Sequence, residues 1–366
     1  MIQITRRADV TAVHSLLSVA IAAVLTIVIS TGVLFLTAKA PVDALSQLLT
    51  YPYQGGTIMV QWSKALNMAA YLGVMGLGLS ICYRANVWNI GAEGQFAMGG
   101  IGAFGTWLLL GSPTAAWAIP CLLIGGALAG LLWASIPALL KTRANTNELL
   151  TSLMLVYVAA QTLFFVSNGP WQAPVRYSPP QTIVLPETVQ LNAMLTGVPT
   201  FHAGLPIALG LFVVIALLVL YTPFGYRLKV TETTPRAARF AGYSPAATVW
   251  AVFLLSGALS GVMGAIYLLG DIGYVTEESN FLRGFGFSAI VVAFLGRLHP
   301  VGILFAALLL GYVAGGASWI QANLREDDSI AGFIEVIALM STLASALFLQ
   351  YRVTWRGIVA QTQESP

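Results

Sequence analysis

Charge is scarce in this chain. Asp, Glu, Lys and Arg make up 8% of its 366 residues, too little polar surface to cover a water-soluble body of that size. Cysteine is nearly absent as well. Cys82 and Cys121 both fall in apolar segments near opposite ends of the expected spans, so a disulfide framework is excluded. The three histidines, His14, His202 and His299, are scattered, with no HExxH and no Cys/His metal spacing, and they read as structural or solvated. No GxxxxGK[ST] occurs: only Lys141 precedes a Ser or Thr, and Leu140 stands where the second glycine is required. ATP hydrolysis through a P-loop is therefore excluded for this chain.

Apolar length is abundant instead. Hydrophobic residues reach 57% with a mean hydropathy of +0.81, which makes lipid the solvent. A hydrocarbon core of roughly 30 Å is crossed by about 20 apolar helical residues. Hydropathy, loop composition and Pro/Gly punctuation mark ten membrane segments, at about 15–38, 62–82, 88–111, 115–140, 148–167, 203–222, 246–269, 285–297, 301–317 and 331–350. The expected fold is an all-α polytopic membrane protein with about ten transmembrane segments. The first run, preceded by Arg6 and Arg7, resembles a signal peptide but exceeds the usual h-region, so an uncleaved helix is expected. With the N-terminus in the cytoplasm, five of the 17 Lys and Arg (Lys39, Lys64, Arg176, Arg283, Arg325) face out and the other twelve face in. That asymmetry fixes both termini as cytoplasmic. The domain reading is a cytoplasmic N-terminus at 1–14, one transmembrane domain at 15–350 and a cytoplasmic tail at 351–366, with an external loop at 168–202 and a cytoplasmic loop at 223–245. Glycine, 36 residues, includes GxxxG patterns at 126–130, 257–261 and 311–315, which suit close helix packing in lipid.

Two segments are not plain spans. NIGAEGQ at 89–95 interrupts one, and the other is short and follows Arg283-Gly-Phe-Gly-Phe. Broken or re-entrant helices survive at membrane depth only inside protein or along a wet cavity, so a solute pathway is sought there. The candidates are Asn89, Glu93, Gln95 and Phe96 in the first break, with Phe285, Phe287 and Ser288 in the second. Their opposite directions are compatible with an inverted repeat. Glu93 should be neutral, hydrogen-bonded to freed backbone amides, or paired with a cation such as Arg84. It either serves the helix break or meets solute. In the TNELLTSL segment, Asn147 or Thr146 can cap the helix and Glu148 complements its dipole. Tyr157 and Gln161 share a helical face; they bind a polar planar solute or a neighbouring helix. Phe96, Tyr157, Phe281 and Phe285 could stack on a base or sugar. The Pro- and Trp-rich loop after 167 is either a docking surface or an interfacial loop anchored by Trp171 and Tyr177.

The cytoplasmic loop holds its own helix. Thr234 suits the N-cap, Pro235 the first turn and Gly242 the residue after the end. Ala237, Ala238 and Ala241 form a small face, flanked by Arg236 and Arg239, for the groove of another protein.

These motifs resemble the ABC importer permeases of the branched-chain amino acid, ribose and nucleoside group. The match rests on WNIGAEGQ, NELLTSLML, the loop FGYRLKV to PRAARFAG, the GALSG helix and GFGFSAIVVAFLGRLHPVGI, in the family's order over about 60–350. The nucleoside and simple-sugar branch is the most similar. The resemblance implies a permease pair, identical or not, an ATP-binding partner that carries ATP and Mg, and an extracytoplasmic solute-binding protein. No cofactor is expected on this chain. It also implies that 235–242 engages the ATPase. Val156 stands where nucleoside-type members often carry Asn, and TETT precedes the Pro in place of a Gly-Asn lead-in. An ion-coupled secondary transporter, suggested by Glu93 and Glu335, is the alternative, and an intramembrane enzyme finds no clustered nucleophile and base.

Overall fold

The computed structural model describes residues 2–6, most of 20–35, 41–53, 58–195 apart from 176, 178 and 179, then 197–233, 238, 240–276 and 281–324, isolated positions between 336 and 345, and 351–355. Helix accounts for 77% of it and strand for 4%, so this is a helical bundle with two small ladders that an all-α reading does not contain.

The helices are α1 (Pro41–Thr50), α2 (Ile58–Arg84), α3 (Ala92–Leu109), α4 (Ala118–Ala144), α5 (Glu148–Asn168), α6 (Gly204–Tyr221), α7 (Pro223–Thr233), α8 (Pro245–Tyr267), α9 (Phe285–Leu295) and α10 (Pro300–Leu324). Helices α2 to α6 and α8 to α10 stand where the sequence places its second to ninth segments. Five stretches, α2, α4, α5, α6 and α8 with its extension to Ile272, are long and apolar enough to cross a membrane. The tenth segment lies largely outside the described residues. Helix α1 and helix α7 are additions. Thr222 makes the second: its hydroxyl accepts from Phe224 N (3.2 Å) while Pro223 opens the new helix, so the chain bends without losing a buried amide.

Local chemistry sets the other ends. Asn145 at φ 51° closes α4, and Asn147 caps α5 by accepting from Leu149 N (3.0 Å). Ser244 caps α8, with Pro245 in its first turn. Beyond Tyr267 the helix relaxes into one wide turn, Leu268–Ile272, ended by Gly273 with its N–H on Leu268 O (2.7 Å).

Burial ranks the helices. In their most apolar windows α2 is 83% buried and α8 78%, whereas α4, α6 and α5 are 22%, 28% and 33% buried. The first pair forms the core, and the other three present apolar side chains outward as helices in lipid do. Glycine allows the tight crossing. A Cβ on Gly130 would strike the Gly257 carbonyl oxygen, and one on Gly261 would strike that of Gly126. The 126–130 and 257–261 patterns thus pack on each other, and Gly99 of α3 joins them at Gly261. Gly311 closes in the same way on Ala65 and Ala69 of α2.

The ladders tie down the ends of the chain. Strand β1 (Ile2–Arg6) pairs antiparallel with the last strand, Tyr351–Trp355, from Ile2↔Trp355 to Arg6↔Tyr351, so the first and last described segments lie together. Within the 168–202 segment, β2 (Ala193–Leu195) and β3 (Val198–His202) form a hairpin around Gly197 at φ +82°; the last strand is β4. This segment is sewn to the end of α8: Thr182 N, Leu185 N and Leu191 N donate to Val275 O (2.9 Å), Gly273 O (2.8 Å) and Leu269 O (2.8 Å). Trp171 packs on Phe104 at 5.4 Å, so it fastens the loop to the bundle, while Tyr177 is exposed.

Replacing Gly261 with Val should cost at least ~3 kcal/mol, because backbone atoms on the facing helix cannot move aside. Thermal unfolding followed by size-exclusion in detergent should show collapse of the folded peak, whereas Gly210→Ala, with nothing within 4 Å of the added atom, should leave the profile unchanged.

Candidate functional site

The break at 85–91 is closed by an amide pair. Asn89 Oδ1 accepts from Gly91 N (2.9 Å) and Gln95 Nε2 (3.2 Å), and its Nδ2 donates to Gln95 Oε1 (3.2 Å) and Ser256 Oγ (3.1 Å). All four hydrogen-bonding positions of the Asn89 amide are then spent inside the protein. Ile90 N donates to Ser152 Oγ (3.1 Å) and Tyr83 OH to Asn89 O (3.0 Å). Gln95 is equally buried.

Helix α3 starts here with Glu93 in its first turn, only 2% exposed. Of the fates open to this carboxyl, the structure has it on backbone amides: it accepts from Gly284 N (2.8 Å) at Oε1 and from Gly286 N at Oε2. Those are the leading amides of α9, so one carboxylate serves the electropositive N-termini of two helices. The glycines explain themselves. Gly284 sits at φ +78°, and a Cβ on Gly286 would overlap the Glu93 backbone nitrogen. Helix α9, at 11 residues, is about 16 Å long, about half the thickness of a hydrocarbon core.

Between the two bonded glycines stands Phe285, which joins a ring cluster. Its centroid lies 5.5 Å from Tyr267, 5.7 Å from Phe96 and 5.9 Å from Tyr71, and Phe281 lies 5.4 Å from Tyr267. Phe96 and Phe281 are fully enclosed, whereas Tyr71, Tyr267 and Phe285 border a cavity of about 540 Å³. Its polar walls come from Gln61, Lys64 and Asn67 of α2, Thr200 of β3, Asp271 and Arg283. Tyr71 OH donates to Asp271 Oδ2, and His202 Nε2 lies 3.7 Å from Asp271 Oδ1.

The candidates from sequence therefore separate. Glu93, Asn89, Gln95 and Phe96 gather at the junction as holding groups, and Phe285 reaches the cavity. Ser288 is buried one turn further along α9, and Phe287 is part-exposed. Tyr157, 61% exposed, and Gln161 sit together on the outer face of α5, away from the cavity. Val156 is buried, and its backbone lies against Gly94 of α3. The wall residues Gln61, Asn67 and Tyr71 are absent from the sequence reading, and Lys64 enters it only as an outward-facing charge. Their spacing of three, three and four, a polar stripe along an otherwise apolar helix, is the signal that marks them.

At the opposite end Lys141 bonds Glu148 (2.6 Å). Arg84, Lys229, Tyr226 and His299 border a second cavity of about 880 Å³. Burial and the Arg84 charge hold the His299 imidazole below its ordinary range. Of the expected coupling helix, Thr234, Pro235, Arg236, Ala237 and Arg239 lie outside the described residues. Its exit is described: Tyr243 N donates to Ala238 O (3.1 Å) around Gly242 at φ +81°, the bond that closes a Schellman motif, and Arg227 stacks on Tyr243 at 5.2 Å.

A family described as the permease component of the branched-chain amino acid transport system matches residues 62–349. Among characterised proteins the chain is similar to the glucose ABC transporter permease protein of Haloferax volcanii, 30% identical over 302 residues, covering 80% of this chain and 78% of the relative. It is also similar to the guanosine ABC transporter permease protein of Bacillus subtilis (28%, covering 74% and 77%) and to a nucleoside ABC transporter permease protein of Lactococcus lactis subsp. cremoris (29%, covering 69% and 71%).

Glu93→Ala should strand the Gly284 and Gly286 amides and lower stability by about 2–4 kcal/mol, read as a fall in the thermal midpoint in detergent. Glu93→Gln, with one acceptor oxygen in place of two, should lose roughly half as much.

Proposed function

This chain belongs to the branched-chain amino acid transport system permease family, and from that premise we propose that it carries a nucleoside or simple sugar into the cytoplasm. It is a multi-pass permease subunit of an ABC importer, as its relatives are. The observation that carries the solute reading is the similarity over most of the chain to permeases named for glucose, guanosine and nucleosides. The ion-coupled alternative gives way to the family assignment.

The complete machine, on this reading, holds two permeases, identical or homologous, in a bacterial inner membrane. Ten spans leave both termini in the cytoplasm, in keeping with the pairing of β1 and β4. A separate ATP-binding subunit carries ATP and Mg, and an extracytoplasmic protein delivers the solute. This chain supplies no covalent chemistry. It alternates between two arrangements, and ATP on the partner shifts the balance because the partner binds one of them better. The segment from Thr234 through Pro235, Arg236, Ala237, Ala238 and Arg239 to Gly242 is the contact that transmits the shift. The Gly242 turn and the basic rim of Arg84 and Lys229 at that end support the placement. Asn89, Glu93, Gln95, Phe96, Phe285, Phe287 and Ser288 line or hold the pathway, with Tyr157 and Gln161 on a face free to meet a second permease.

Co-purification with the neighbouring ATP-binding and solute-binding proteins should yield a complex whose ATP hydrolysis rises several-fold with the cognate sugar or nucleoside. A complex indifferent to every member of both classes would refute the solute assignment. Reversing charge with Arg236→Glu and Arg239→Glu together should cut the ATPase recovered with the permease about tenfold, measured by quantitative pull-down, with permease abundance unchanged.

A further inference from the structure

The second cavity, of about 880 Å³, opens at the elbow where α6 hands over to α7. The elbow is tight because Gly225 lies on the Val219 carbonyl, which a Cβ would strike, and because the Thr222 hydroxyl donates to Leu218 O (2.6 Å) while it accepts from Phe224 N. Three basic side chains border the cavity from separate elements: Arg84 from the last turn of α2, Lys229 from α7 and His299 from the turn before α10. Among the described residues around it, none is an Asp or Glu. Val301 N donates to His299 Nδ1 (3.3 Å), so the neutral ring carries its proton on Nε2 and donates from there. Arg84 and Lys229 also interact within the chain, but a guanidinium and an ammonium each carry several donors, so a further acceptor adds to those contacts. All three can be reached from outside, since Lys229 and His299 are exposed and Arg84 is half-buried. Charge of one sign around an open space calls for an anion.

Depth in the membrane identifies that anion. Helix α6 has 18 residues and is about 27 Å long, close to the thickness of a hydrocarbon core, so its last residue, Tyr221, stands near the headgroups. Its flank is open to lipid: Val214 is 59% exposed, Leu217 50% and Tyr221 79%. Leu220 and Tyr221 carry this apolar flank into the wall of the cavity, and Tyr226 of α7, itself exposed, borders it too. Tyrosines in such a place sit with the ring in hydrocarbon and the hydroxyl among headgroups. An acyl chain can therefore lie along α6 while its phosphate enters the basic end. A free phosphate makes no use of the apolar wall, and a zwitterionic headgroup brings a cation of its own among Arg84, Lys229 and His299.

We propose that the α6–α7 elbow binds one anionic phospholipid, its phosphate held by Arg84, Lys229 and His299 and its acyl chain laid along the outer face of α6 beside Leu220 and Tyr221. Helix α7 runs on toward the 234–242 segment, so the headgroup braces the helix that leads to the proposed ATPase contact. Only that consequence rests on the coupling reading; the lipid site stands on the elbow itself.

Native mass spectrometry of the full chain in detergent, titrated with dioleoylphosphatidylglycerol or dioleoylphosphatidylcholine, tests the site. The first phosphatidylglycerol should bind about tenfold more tightly than phosphatidylcholine, and about fivefold more weakly in Lys229→Gln and in Arg84→Gln, the effect of one cation at a membrane surface. Lys229 is exposed on α7, so its replacement does not threaten the fold. Arg143→Gln, which removes an exposed charge in the last turn of α4, should bind as the unaltered chain does. Equal binding of the two lipids overturns the proposal. An equal loss in all three variants also overturns it, because the attraction is then spread over the basic loops. If inorganic phosphate alone raises the thermal midpoint as much as phosphatidylglycerol, and Lys229→Gln abolishes that rise, the cavity takes a free anion and the lipid assignment fails. If Lys229→Gln keeps its lipid but recovers less of the ATP-binding subunit in a pull-down, the rim is a partner contact and the proposal falls. Lipid binding that both elbow variants weaken, in a chain whose recovery of that subunit is the same with and without phosphatidylglycerol, supports the site and removes the bracing of the ATPase contact.

Discussion

Glu93 of α3 reaches across to accept the Gly284 and Gly286 amides at the start of α9, and the geometry of the site depends on those two bonds. A helix that begins inside the protein has unpaired N–H groups with no water to take them. A carboxylate in the first turn of one helix, placed against the N-terminus of another, answers both ends together. Because Phe285 lies between the bonded amides, the same contact places an aromatic wall of the cavity. The small residues of the Gly-Phe-Gly-Phe run are what let the carboxylate approach.

Around the junction, packing is set by lipid. With hydrocarbon outside and inside, apolar burial distinguishes core from surface poorly, and close van der Waals contact takes over. The 126–130 and 257–261 glycines bring α4 and α8 into backbone contact, Gly99 adds α3, and Gly311 brings α10 onto α2. Polar groups are then confined to two places with opposite uses. At the 89–95 break they consume one another, as the fully bonded Asn89 amide shows. Beside the hairpin they face a cavity and one amide atom stays unpaired.

Composition, loop charges and motif order were enough to establish a multi-pass permease, because solvent and family leave their mark on every stretch of chain. The polar interruptions at 89–95 and 283–288 were legible as places where apolar runs stop, but the first is the loop that enters α3, a continuous helix from Ala92 to Leu109, and not a break within a helix. The helix α7 was not legible: FGYRLKV reads as a basic loop until Thr222 and Pro223 are seen to restart the helix. Nor were the terminal strands, whose five residues each carry too little pattern to register until they meet.

For the site, sequence alone determined which residues were chemically unusual, and Glu93 stood out because a carboxyl in lipid demands a partner. Which partner it takes was decided by the tertiary structure, since Gly284 and Gly286 are more than 190 residues away. The same holds for the cavity. Gln61, Lys64, Asn67 and Tyr71 were a stripe on one helix, and only the arrival of distant segments gave them partners, Thr200 and His202 for the Asn67 amide nitrogen and Asp271 for the Tyr71 hydroxyl. Solvent preference is a property of each residue and survives in the sequence; hydrogen-bond partnership is a property of pairs and appears only once the chain has folded.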